Sequence, residues 1–295
     1  MSSLDRPRRS ALYMPASNDR ALEKSKSLDA DVLIFDLEDA VSPESKTIAR
    51  NKAIDAVNSG AYGGRELLIR INGLDTEWFA EDLIAVALSK ADGVLVLKVS
   101  SADDLVKVDN IINKANGPKE FSVWAMMETP KGILSANEIA KASNRLKGYC
   151  IGTVDLSKEL NCSHPADRFP MLVSMQFVIL SAKAHGIHVL DGVHTDLNDQ
   201  NGFLKACQQA RSFGFDGKSL IHPNQIRVAN DTFSPSEEEI QHASSVIKTY
   251  KDASLEGSGV ATLNGKLIEV LHVEQAKKLI KIAEMIKSFK EDKEK

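Results

Sequence analysis

Eight times along this chain a short, largely apolar run is followed by an amphipathic stretch, and that alternation restricts the fold more than any other feature. The runs and their partners are SALYMPA then 19–28, VLIFDLEDAV then 44–58, ELLIRIN then 75–89, and GVLVLKV then 102–115. The second half continues with FSVWAMMET then 131–142, LKGYCIGTVDL then 168–186, HVLDGVHT then 198–212, and GKSLIHP (217–223) then Gln225–Ala229. Strands alternating with helices at crossover spacing specify a parallel sheet, and eight such units specify an α/β fold of the (β/α)8 TIM-barrel type. A doubly wound open sheet is the runner-up. The barrel is expected over residues 1–233 and a C-terminal helical arm over 234–295. A chain of 295 residues suits one barrel plus an appendage better than two equal domains.

Local chemistry supports several helix starts. Ser17-Asn18 can cap the first helix, Pro43-Glu44 can open the second, and Pro235-Ser236 before Glu237–Glu239 favours another. Residues 253–266 are rich in Gly and Ser and precede a last helix predicted over 271–289, so the arm reads as a cap or a subunit-swapped lid.

Charged residues make up 26% of the chain and the formal net charge is -4, which gives no basic surface for nucleic acid. The three cysteines, Cys150, Cys162 and Cys207, lack C-x-x-C spacing, so neither a disulfide framework nor a zinc knuckle is supported. The N-terminal basic cluster has no long apolar stretch behind it, and no segment reaches the roughly 20 apolar residues that span a bilayer. A cytoplasmic protein without membrane or nucleic-acid partners is the expectation.

Carboxylates close three of the runs: LIFDLED, WAMMET and GYCIGTVDL. A carboxylate at the C-terminal end of a barrel strand stands where barrel enzymes keep their chemistry. Asp36, Glu38, Asp39, Glu128 and Asp155 are therefore expected at one mouth. Glu128 and Asp155 lie 27 residues apart, about one βα unit, and would cap adjacent strands. Two carboxylates completed by water and substrate oxygens suffice for Mg²⁺. The plain alternative is that each caps a helix or pairs with a lysine. Arg70, ending the third run, could hold a substrate carboxylate or enolate oxygen by bidentate hydrogen bonds; its plain alternative is an internal ion pair to Asp36 or Asp39, and the two roles are compatible. His194 and His222 also follow apolar runs, but a single strand-end histidine is more often a satisfied structural group than a base. Met126, Met127, Trp124 and Phe35 read as core. No Gly-rich phosphate loop and no Ser-His-Asp order is present.

Taken together, RSALYMPASNDRALEKS (9–25), VLIFDLEDAV (32–41), LLIRIN (67–72), METPKGI (127–133), GTVDLSKELN (152–161), GFDGKSLIHPNQI (214–226) and FSPSEEEI (233–240) form a recognisable order. The chain resembles the citrate lyase β-subunit-like group, which includes malyl-CoA and citramalyl-CoA lyases, within the HpcH/HpaI aldolase superfamily. The resemblance implies an Mg²⁺-dependent carbon–carbon lyase, with Mn²⁺ as a substitute, that cleaves a β-hydroxyacyl-CoA thioester to acetyl-CoA and a 2-oxo acid such as glyoxylate or pyruvate. It implies a trimeric or hexameric homo-oligomer. Carried over residue by residue, it makes Glu128 and Asp155 metal ligands, Arg70 the substrate-anchoring arginine, Asp36, Glu38 and Asp39 neighbours of the metal's water shell, and Arg20 and Lys24 contacts to CoA phosphates.

In malyl-CoA and citramalyl-CoA lyases the proton donor is a lid aspartate from a neighbouring subunit. Here the corresponding G-K-x-I-D segment reads Gly265-Lys266-Leu267-Ile268-Glu269, so Glu269 is the candidate, one methylene longer. Val154 stands where many relatives carry an acid or alanine. The aldolase branch acting on free 2-keto acids carries a histidine near the end of the second strand; FDLEDAV has none, which argues against that branch. A citrate lyase β-type subunit working on an acyl-carrier-protein thioester stays open.

Overall fold

The computed structural model describes residues 6–255 and 258–293. Eight strands form a closed, all-parallel barrel in sequential order: β1 (Ser10–Pro15), β2 (Val32–Asp36), β3 (Glu66–Arg70), β4 (Gly93–Val96), β5 (Ser122–Met127), β6 (Leu146–Ile151), β7 (His188–Asp191) and β8 (Gly217–Leu220). Closure comes from β1 pairing with β8, Ser10 opposite Lys218 and Leu12 opposite Leu220. This settles the barrel against the open sheet.

The helices are α1 (Asp19–Ser25), α2 (Lys46–Asn58), α3 (Phe79–Ala87), α4 (Ala102–Lys114), α5 (Pro130–Leu134), α6 (Ala136–Lys141), α7 (Thr153–Glu159), α8 (Leu172–Ala184), α9 (Gln200–Phe213), α10 (Ile226–Phe233), α11 (Glu237–Leu255) and α12 (Val270–Lys293). Asn18 caps α1 by accepting from the amides of Arg20 and Ala21, as its residue type predicts. Ser236 and Glu239 form a reciprocal capping box at α11. Three details differ from the sequence expectation. The stretch 131–142 breaks into α5 and α6 at Ser135, α7 intervenes after β6, and the Gly/Ser-rich stretch contains an antiparallel hairpin of β9 (Ala261–Leu263) and β10 (Lys266–Ile268).

Inside the barrel, Ala11, Val32, Ile34, Leu68, Leu95, Trp124, Met126, Cys150 and Leu190 interlock as one apolar cluster, with Tyr13 against it. These side chains alternate along the strands, so the interior is packed rather than hollow. Buried ion pairs close the N-terminal end: Arg9 binds Asp31 through two nitrogens at 2.8 Å each, and Arg8 meets Glu66 at 2.5 Å.

The chain divides into two compact units, Arg8–Asp231 and a smaller one from Thr232 onward. The smaller unit has its own core, in which Ala243 and Val246 of α11, Ala261 and Ile268 of the hairpin and Val273 and Ala276 of α12 are buried together. Among the described residues no helix is long and apolar enough to cross a membrane.

Asp191, at the end of β7, is a fully buried charge in the barrel wall. Its carboxylate takes Lys218 Nζ at 2.5 Å on one oxygen and Arg168 Nη1 at 2.6 Å on the other. Burial opposes ionisation here, but the two cations outweigh it and hold Asp191 below the ordinary aspartate range. Removing the carboxylate would leave two buried cations unpaired, so Asp191→Asn is expected to cost about 3–5 kcal/mol in chemical denaturation at neutral pH. Because the folded-state pKa is depressed, the contribution is present above the unfolded value near ~3.9 and is lost as pH falls through the folded value. Stability measured against pH below about 4 should therefore fall more steeply in the wild type than in Asp191→Asn.

Candidate active site

Two of the predicted site residues are brought together by strand register alone. Asp36 and Arg70 are paired positions at the C-terminal ends of β2 and β3. Arg70 Nε donates to Asp36 Oδ1 at 2.7 Å and Nη2 to Oδ2 at 2.6 Å, a bidentate fork. Glu38 Oε2 and Asp39 Oδ2 each lie 3.3 Å from the guanidinium, which also sits over the Tyr13 ring at 4.9 Å. The internal ion pair weighed for Arg70 is thus what the structure shows. The turn after β2 is tied to the same carboxylate, since Asp36 accepts from the amide of Glu38 at 2.9 Å. From behind, the ammonium of buried Lys46 donates to the carbonyls of Leu37 and Glu38 at 2.9 and 2.8 Å.

Glu128 follows β5 directly and is 2% exposed. Its Oε1 accepts from the amide of Lys98 at 2.9 Å. To present that amide, Lys98 adopts φ +49°, a left-handed conformation that costs a non-glycine residue on the order of 1 kcal/mol. Asp155 does not end a strand, as the sequence had suggested. β6 stops at Ile151, and Asp155 lies in the first turn of α7, carried there by Gly152. Gly152 is required by space, because a Cβ at that position would overlap the Glu128 carboxylate and come within 2.7 Å of the Glu128 Cβ.

Asp36, Asp39, Arg70, Glu128 and Asp155 line one cavity of about 360 Å³, together with Tyr13 and Thr153 and an apolar wall that includes Ile151, Val154, Val193 and Ile221. Glu38 borders this cavity through Arg70 rather than lining it. A second cavity of about 270 Å³ shares Tyr13, Met14, Pro15 and Ile221 with the first and is lined further out by Asn18, Arg20 and Lys24 of the α1 segment. His222 is a structural group: its Nδ1 accepts from the amide of Asn224 and caps a 3₁₀ turn at Pro223–Gln225. His194 packs on Phe203 at 5.7 Å and does not line the first cavity. Glu269 is an exposed residue of the smaller unit, between β10 and α12, where its amide donates to His272 Nδ1.

The electrostatics favour a cation. Burial, reinforced by the Asp155 carboxylate, raises the Glu128 carboxyl to about 7 although the Lys98 amide and Arg70 oppose it. Burial likewise raises Glu38 to about 7, against the pull of Arg70 and with the help of Asp39 and Asp36. A single guanidinium thus faces a cluster of carboxylates. Among the described residues no three His, Cys, Asp or Glu side chains form a complete ligand cage. Two carboxylates, Glu128 and Asp155, on one cavity are the donor type that a hard divalent ion takes when water or substrate oxygens fill its other positions. Sequence reasoning missed Tyr13, Lys46, Lys98, Gly152 and Thr153 here. Gly152, the first residue of the GTVD segment, was the one of these with a readable signal.

Comparison with known proteins agrees with this architecture. Residues 9–223 match the model of the HpcH/HpaI aldolase/citrate lyase family. The chain belongs to that family. It is 44% identical over 284 residues, 96% of this chain and 97% of the relative, to (3S)-malyl-CoA thioesterase of Cereibacter sphaeroides. It is 35% identical over 285 residues to citrate lyase subunit beta of Escherichia coli, covering 95% and 94% of the two chains. The crystal structure of CitE from Mycobacterium tuberculosis with magnesium, acetoacetate and coenzyme A superposes with a TM-score of 0.77 at 29% identity, over 95% of this chain and 99% of that one.

The close approach at Gly152 can be tested without any ligand. Gly152→Ala is expected to destabilise the protein by about 1–3 kcal/mol through overpacking against Glu128. Gly259→Ala, where an added Cβ meets nothing within 4 Å, should be neutral in the same denaturation experiment.

Proposed function

We propose that this protein cleaves a malyl-type β-hydroxyacyl-CoA thioester to acetyl-CoA and a 2-oxo acid, with Mg²⁺ or Mn²⁺ held by Glu128 and Asp155. The observation that carries the reading is the convergence of Glu128, Asp155 and Arg70 on one cavity that adjoins a second one bordered by Arg20 and Lys24. The first suits a small hydroxy-dicarboxylate, and the second offers two exposed cations for CoA phosphates. The family relatives named for CoA-thioester chemistry and the CitE structure with magnesium and coenzyme A support the assignment.

When bound, the divalent ion supplies Lewis acidity that makes the substrate hydroxyl more acidic. Glu128 is held in place by the Lys98 amide and the Gly152 contact, so its carboxylate needs little reorganisation to serve as a ligand. Arg70 is locked between Asp36 and Tyr13 and adds fixed positive charge beside oxygens on which negative charge builds. In the forward direction the bond between the hydroxyl-bearing carbon and the carbon next to the thioester breaks. Its electron pair passes into the thioester as an enolate, the hydroxyl gives its proton to solvent and becomes the 2-oxo carbonyl, and the enolate carbon takes up a proton. Glu269 is the proposed donor, supplied by the arm of a neighbouring subunit in a homo-oligomer. Its extra methylene matters, because a shift near 1 Å in a proton-transfer group can cost about a hundredfold in rate.

Hydrolysis of the thioester is a second reading, favoured by the 44% identity to (3S)-malyl-CoA thioesterase. It uses the same acyl site but requires no protonation of carbon.

Mass spectrometry of the products decides between them. Purified protein with Mg²⁺ and (3S)-malyl-CoA, or either citramalyl-CoA isomer, is expected to release acetyl-CoA with glyoxylate or pyruvate. Glu128→Ala should slow release by roughly a thousandfold, and Glu269→Ala should slow the lyase reaction as well. Free CoA and the hydroxy acid without acetyl-CoA would instead establish hydrolysis. No turnover of any of these thioesters would contradict both readings.

A further inference from the structure

Helix α8 of the barrel unit is apolar on both its faces. Met175, Val178, Ile179 and Ala182 are buried on the side that packs against β6 and β7. Val173, Phe177 and Leu180, at helical spacing, are exposed on the other side, and Phe169 continues their stripe from the 3₁₀ turn Phe169–Met171. From Phe169 to Leu180 the chain has no charged residue. On α4 the equivalent outward stripe is Asp103, Lys107, Asn110 and Lys114. Such a polar stripe is what a helix shows to water, whereas a helix apolar all round is normally covered on every side.

The apolar surface extends beyond α8. Leu134 at the end of α5 and Leu160 just past α7 meet Val173 and Phe177 around a groove of about 270 Å³, together with Pro130 and Ile133. Leu134, Phe169 and Val173 are 73–79% exposed. A fully exposed aliphatic or aromatic side chain presents roughly 100–200 Å², so Leu134, Leu160, Phe169, Val173, Phe177 and Leu180 together present on the order of 600 Å². That exceeds the few hundred Å² at which contiguous apolar patches on monomers usually stop, and it approaches the roughly 800 Å² that each side of a standard interface contributes.

We propose that this face of α5, α7 and α8 is an interface with a second copy of the chain. Composition and shape select that occupant. Partners that bind and leave present surfaces about as polar as the rest of the protein, whereas permanent association of identical chains uses surface resembling a core cut in half. An uncharged stripe beside a groove lined by apolar side chains is of the second kind. The same surface also offers both parts of a fit, the groove and, one turn from Val173, the protruding ring of Phe169. The interface runs beside the proposed cation site, because α7 places Val154 and Asp155 in the first cavity and is followed at once by Leu160 in the groove. It does not depend on which reaction that cavity carries out.

Sedimentation velocity of the full chain over a range of concentrations tests this, with Val173→Glu and, separately, Leu134→Lys. Both positions are highly exposed within one chain, so each variant is expected to keep the wild-type circular dichroism spectrum. They lie on different helices, so a failure of one to fold leaves the other to decide. The wild type should sediment as an oligomer, and each substitution, by burying an unpaired charge in the contact, should raise its dissociation constant roughly a hundredfold or more. Ile48→Glu, at an exposed position of α2, is the control and should sediment as the wild type does. A monomeric wild type would overturn the proposal and leave the face to a different protein. An oligomer that the two patch variants leave intact, or that Ile48→Glu disrupts equally, would place the contact elsewhere and overturn it as well.

Discussion

The bidentate pair of Arg70 and Asp36 organises the C-terminal end of this barrel. Parallel register puts the two residues side by side, and the amide of Leu37 donating to the Arg70 carbonyl at 2.9 Å continues the ladder past the strand ends. Asp36 then receives the amide of Glu38, Arg70 reaches Glu38 and Asp39, and the Tyr13 ring supports the guanidinium from β1. A planar, permanently charged guanidinium suits this role, because a lysine could not satisfy both oxygens of Asp36 in one plane. The arrangement also leaves the cavity short of positive charge. One arginine is shared among three carboxylates before Glu128 and Asp155 are considered, and Glu128 is hard to ionise, first because it is buried and then because Asp155 faces it. That imbalance is the physical basis for assigning a divalent cation to the site.

The rigid surroundings of Glu128 bear on the same point. Its backbone leaves β5, Lys98 accepts an unfavourable backbone conformation to supply an amide, and Gly152 clears the space beside it. Structure of this kind costs stability and is retained where a side chain must stand in one place. The smaller unit contributes differently. Its hairpin and two long helices share an apolar core, and Glu269 stands exposed where the hairpin turns into α12.

Much of this was legible in the sequence. The eight alternating runs carried the barrel, because parallel strands covered on both faces must be apolar and crossover helices must be amphipathic. Carboxylates closing VLIFDLED and WAMMET marked the functional mouth for the same reason: a charge at a strand end is tolerable where one at mid-strand is not. What could not be read depended on contacts between distant segments. Asp155 was assigned to a strand end because CIGTV continues an apolar run, whereas β6 stops at Ile151 and α7 begins at Thr153, across a glycine packed against Glu128. The hairpin of β9 and β10 lay hidden in a Gly/Ser-rich stretch read only as part of a cap or lid arm, although Asn264-Gly265 is a turn pair. Tyr13 carried no signal of its own in the sequence, and the packing of β1 and β3 on either side of β2 is what puts its ring under Arg70.

The central claim is that Glu128 and Asp155 form a divalent-cation site, and calorimetric titration of Mg²⁺ or Mn²⁺ into metal-free protein tests it most directly. The account predicts saturable binding of one ion per chain, weakened roughly a hundredfold by either Glu128→Gln or Asp155→Asn, with the melting temperature of the wild type rising with added metal. Absence of binding, or binding that both substitutions leave intact, would contradict it.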